Sequence, residues 1–60
     1  MEDFSIGDEV LFMYNGKEHT GTIVNISDST VDVMFVTEDE TDKTPISIIK
    51  TYKKDNIKKK

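Results

Sequence analysis

An all-β fold is what this sequence predicts, on three observations. Five valines, seven isoleucines and seven threonines stand against one leucine and no alanine. Side chains branched at Cβ are stiff about the first torsion and suit a pleated surface, whereas alanine and leucine are the strongest helix formers. Apolar residues recur with period two in residues 9–14 and 30–36, the spacing that places alternate side chains on one face of a strand. After the first of these stretches comes Asn15-Gly16, the strongest short hairpin signal, because both central residues of a type I′ turn need a positive φ.

Residues 1–5 read as a polar start with one aromatic, Phe4, and Ile6-Gly7-Asp8-Glu9 as a turn that launches the first strand. In that strand Val10, Phe12 and Tyr14 share one face and Leu11 and Met13 the other. A second strand is expected over roughly residues 18–27, with Gly21 where a β-bulge or sharp bend is tolerated. Ile23 beside Val24 breaks its alternation and leaves the register open. Asp28-Ser29 is a second turn, and residues 30–36 then set Val31, Val33 and Phe35 opposite Asp32, Met34 and Val36. The Val31 face is the expected core, since Asp32 lies on the other.

Glu38-Asp39-Glu40-Thr41-Asp42 is an acidic loop. Residues 43–46 suit a short fourth strand, and Pro45 points to an edge because it cannot donate to a ladder. Ile48-Ile49-Lys50 suits one 3₁₀ turn capped by Ser47, followed by a fifth short strand over Thr51-Tyr52-Lys53. A barrel domain over residues 1–54 then gives way to a lysine-rich flexible tail, residues 55–60, too polar to pack.

Two hairpins, a third connection and a 3₁₀ turn before the last strand match the connectivity of a five-stranded SH3-like barrel. Ile6-Gly7-Asp8-Glu9-Val10, Gly21-Thr22-Ile23-Val24, Val31-Asp32-Val33 and Pro45-Ile46-Ser47 resemble the openings and strands of Tudor-like and KOW-like barrels. Through Ile6-Gly7-Asp8, the strand around Gly21 and the end from Lys43-Thr44 to Tyr52-Lys53, the chain also looks like the YkvS-like family of small uncharacterised bacterial proteins. The resemblance spans residues 6–53. It implies a fold and brings no established chemistry with it.

Length and charge narrow the function. Sixty residues make one domain that buries only about 60% of its unfolded surface, with little volume for a substrate cavity. Absence of cysteine removes disulfides and thiolate metal sites. The longest apolar run, Val10-Leu11-Phe12-Met13-Tyr14, is far below the ~20 residues of a membrane helix. Met1-Glu2-Asp3 is acidic where a signal peptide needs positive charge, so the expectation is a cytoplasmic protein.

No acid–base pair, phosphate loop or metal set has a recognisable spacing, so no enzyme, metal or cofactor is expected. The acidic loop lacks the alternation and central glycine of a calcium loop and reads as a solvated, edge-protecting segment. His19, beside Glu18, has no nucleophile in any shared motif and reads as a surface residue.

Of the five aromatics, Phe12 and Phe35 belong to core faces, leaving Tyr14, Tyr52 and Phe4 for a surface. SH3-like barrels take peptides or methylated lysines in aromatic grooves, so Tyr14 and Tyr52 are the partner-binding candidates. The expected function is a non-enzymatic protein- or peptide-binding module whose edge strand is open to a partner's strand or to self-association.

The alternative is a KOW-like protein associated with nucleic acid, the ribosome or RNA polymerase. Residues 1–49 hold two lysines and eleven acids (−9), and residues 50–60 six lysines and one acid (+5). Lys53, Lys54, Lys58, Lys59 and Lys60 would then make salt-dependent phosphate contacts. The absence of arginine and the acidic body oppose that reading. The same acidity permits a third one, imitation of nucleic acid.

Overall fold

The computed structural model describes residues 3–60, so Met1 and Glu2 of the expected polar start lie outside the described residues. Five strands form one antiparallel sheet: β1 (Glu9–Tyr14), β2 (Lys17–Ile26), β3 (Thr30–Glu38), β4 (Pro45–Lys53) and β5 (Lys58–Lys59), with a 3₁₀ turn over Lys54–Asn56. Their order is β4-β3-β2-β1-β5, and the outermost strands do not pair with each other. The fold is all-β, as expected, but the sheet is not closed.

Asn15 and Gly16 both have positive φ, 51° and 76°. The resulting two-residue turn sets Tyr14 opposite Lys17, Phe12 opposite His19 and Val10 opposite Gly21. At Gly21 the neighbouring strand leaves no room for a side chain: a Cβ there would lie 2.5 Å from Val33 Cγ1 and 2.9 Å from the Met34 carbonyl oxygen. The irregularity in β2 falls two residues later, between Ile23 and Asn25. It explains the Ile23-Val24 doublet: Ile23 is buried, Val24 points out, and Ile26 returns to the core side.

The core is Val10, Phe12, Ile23, Val31, Val33, Phe35 and Ile57, with Phe4, Tyr14, Ile26, Ile48 and Tyr52 packed against it. Every expected core residue of β1 and β3 is there. Burying each such aliphatic or aromatic side chain contributes about 1.5–3 kcal/mol, the main source of cohesion in a chain without cross-links.

Two expectations about the second half are corrected. Residues 45–53 are one nine-residue strand, not a short strand, a 3₁₀ turn and another strand. Its register against β3 runs unbroken from Glu38↔Pro45 to Thr30↔Lys53. Ile48-Ile49 is therefore extended, Ile48 opposite Phe35 and Ile49 opposite Met34. The 3₁₀ turn lies at Lys54–Asn56 and has no side-chain cap.

The end of the chain is not a loose tail. Ile57 is 5% exposed and belongs to the core. Lys58 and Lys59 pair with Leu11 and Val10 of β1, and the Lys60 amide donates to the Glu9 carbonyl. One isoleucine anchors an otherwise polar segment, and the free edge of β1 satisfies its backbone.

Candidate functional site

The β1–β2 hairpin, β3 and β4 bring five rings to one end of the core face. Phe12 lies edge-on to Phe35 at 4.7 Å between centroids and tilted against Tyr52 at 5.1 Å. Tyr14 meets Phe35 edge-on at 5.0 Å. His19 is not a plain surface residue: it stacks on Phe12 at 6.1 Å and contacts Tyr14 and Phe35 at 5.6 and 5.7 Å. Offset and edge-to-face ring pairs at such separations are each worth about 0.5–1.5 kcal/mol beyond their buried area.

Phe12 and Phe35 form the buried floor, while Tyr14, His19 and Tyr52 are half-buried and border solvent. Lys50, on the same face of β4 as Ile48 and Tyr52, extends its ammonium over both tyrosines, 5.1 Å from the Tyr14 centroid and 6.0 Å from that of Tyr52. The two candidate residues are thus brought together beneath one cation. Burial pushes the Tyr52 phenol above its ordinary pKa, and the nearby Tyr14 phenol adds to the rise. The Tyr52 hydroxyl donates a long 3.4 Å hydrogen bond to the Met13 carbonyl.

From Tyr14 a groove continues past Asn15, Thr37 and Glu38 toward Ile46 and Ile48. A second hollow, also bordered by Tyr14 and Asn15, is lined by Lys17, His19, Glu40 and Lys43. Tyr14 borders both hollows, with Ile46 and Ile48 in the first and charges of both signs in the second, a mixture that suits contact with a peptide. Among the described residues, no three His, Cys, Asp or Glu side chains group to hold a metal ion.

Two of the four carboxylates of the acidic loop bond within it. Asp39 Oδ1 accepts from the Thr41 and Asp42 amides and Asp42 Oδ1 from the Thr44 amide. Hydrogen bonds from the Thr44 side chain and then its amide hold the Asp42 carboxyl below its usual pKa. Lys43 takes φ 62° to close the loop.

Three of the tail lysines meet other groups. Lys54 Nζ donates to the Asp28 carbonyl at 3.1 Å. Lys59 lies 3.7 Å from an Asp8 carboxylate oxygen and 5.9 Å from the Phe4 centroid, and Lys60 lies 3.4 Å from Glu9. Lys53 and Lys58 are exposed. Folding places this positive segment against the acidic start of β1.

Sequence reasoning missed His19 and Lys50. A two-residue turn at Asn15-Gly16 already implies that Phe12 faces His19, so His19 was within reach of the hairpin signal. Lys50 depended on recognising residues 45–53 as one strand. Comparison with known proteins adds no relative: no family model, curated protein or solved structure matches the chain. Among the described residues no helix is long and apolar enough to cross a membrane.

Proposed function

We propose that this protein is a non-enzymatic module that binds a protein or peptide segment on the aromatic face around Tyr14 and Tyr52. The observation that carries the reading is the pairing of these half-buried rings under Lys50, at the mouth of an aromatic floor. Rings that are already immobilised offer contact area at little entropic cost. A peptide carboxylate would meet Lys50 while an aliphatic or proline side chain rests on the rings. The strand order β4-β3-β2-β1-β5, with a 3₁₀ turn before the last strand, supports an SH3-like barrel left open between β4 and β5. From the sequence resemblance over residues 6–53 we further propose a bacterial, cytoplasmic protein of the YkvS-like kind.

The test is selection of random 12-residue peptides displayed on phage, followed by affinity measurement on the wild type, Tyr14→Ala and Tyr52→Ala. Truncating a central aromatic contact is expected to weaken the selected peptides about tenfold or more, with circular dichroism confirming that both variants fold. Peptides that bind both variants as well as wild type would place recognition elsewhere.

A further inference from the structure

The two edges of the sheet are unequal. β5 offers only two residues, a length that discourages pairing with another chain. β4 offers nine residues, without a bulge, along the other edge. The Asp39 amide donates to the Thr44 carbonyl and the Lys54 amide to the Ser29 carbonyl, at opposite ends of one unbroken register. Hydrogen-bonded pairs alternate along an antiparallel ladder, so the even-numbered residues of β4 bond to β3. The amides and carbonyls of Ser47, Ile49, Thr51 and Lys53, and the Pro45 carbonyl, therefore point away from the sheet. The usual protections of an edge, proline and lysine, stand only at its ends, as Pro45 and Lys53; Lys50 is turned inward over the tyrosines.

Apolar surface gathers at the same edge. Ile49 is 62% exposed and lies opposite Met34, while Val36, two residues along β3, is 65% exposed. Ile46 is exposed on the other face of β4.

We propose that β4 pairs antiparallel with β4 of a second copy of this chain, with Ile49 opposite Ile49 at a two-fold axis. This register sets Ser47 against Thr51 and Pro45 against Lys53 of the second copy, using every outward position for about eight backbone bonds. Within the strand pair it puts Lys50 beside Ile48 of the second copy, so no like charges face each other directly. Sliding by two residues one way sets Lys50 against Lys50, which is repulsive. Sliding the other way sets Lys53 opposite Lys43 of the second copy, outside its β4, and forfeits the bonds made there. The outer face then joins Ile49, Met34 and Val36 of both copies into one apolar patch, and the strand pair is isologous.

Sedimentation velocity from about 10 µM to about 1 mM, the range suited to so small an interface, tests this. The apparent mass is expected to rise from 6.9 kDa toward twice that value. Ile49→Lys and Ile49→Glu, each folded by circular dichroism, should remain monomeric alone and associate when mixed in equal amounts. Ser47→Pro removes an outward amide without touching the β3 ladder and should also abolish the dimer. A wild type that stays monomeric throughout overturns the proposal. So does a dimer indifferent to Ile49→Lys and Ser47→Pro, and so does a monomer whose β4 amides respond only to an added peptide strand.

Discussion

Gly21 shows how little room one residue has at the centre of this molecule. Its backbone is extended, and a glycine is required there by crowding. A methyl group would press on Val33, on Phe12 at 2.8 Å and on the Met34 carbonyl, and a backbone oxygen in a sheet cannot swing aside as a side chain can. Gly21→Ala is therefore expected to cost about 1–3 kcal/mol through overpacking. For a domain of this size that lowers the thermal midpoint by roughly 5–20 °C, read by circular dichroism. An unchanged midpoint would mean that β2 and β3 can separate without loss, contrary to the packing described. Lys50 makes a different use of position: an exposed residue of β4, it holds its ammonium over the two tyrosines. That placement puts a cation over the aromatic face and takes a charge away from the β4 edge.

At the scale of elements, what the sequence discloses is set by how local the determining interaction is. The faces of β1 and β3 are legible because each alternates over a short stretch, and Asn15-Gly16 fixes the hairpin from two adjacent residues. The bulge in β2 leaves its mark as Ile23-Val24. β4 was harder to see because an edge strand tolerates an exposed Ile49 beside Ile48, and an apolar doublet interrupts the period that Ile46, Ile48 and Tyr52 otherwise keep. β5 was hidden by composition: Ile57 is a lone apolar residue among lysines, and what orders it is the distant edge of β1. Tyr14 and Tyr52 could be named individually, but their meeting depends on the pairing of four strands. The test of β5 as a structural element compares two variants by urea denaturation. Ile57→Ala should lose about 2–5 kcal/mol, as for other large-to-small core changes. Replacing Lys58, Lys59 and Lys60 together by Gln should cost no more than about 1 kcal/mol, since exposed ion pairs contribute little. Equal effects would mean that the end of the chain holds on through charge and not through Ile57.

For the molecule as a whole, the aromatic face ties stability to pH on the alkaline side. Tyr52 bonds to Met13 only while protonated, and its folded pKa is raised above the ordinary value near 10 by burial and by Tyr14. A raised folded pKa means that the unfolded chain gives up this proton first. The contribution of Tyr52 is thus fully present below the unfolded value and is lost as pH rises through the folded one. Asp42 behaves in the opposite sense: its lowered pKa gives a contribution present above the unfolded value near 3.8 and lost as pH falls. Lysines also titrate near pH 10, so the wild-type curve alone does not isolate the phenol. The informative quantity is the difference between wild type and Tyr52→Phe, which keeps the ring and removes the proton. Urea midpoints measured between pH 8 and about 11.5, a window spanning the titration of tyrosine, should converge with rising pH, because only the wild type loses this contribution. Parallel curves would mean that the Tyr52 hydroxyl titrates as freely in the folded protein as in the unfolded chain.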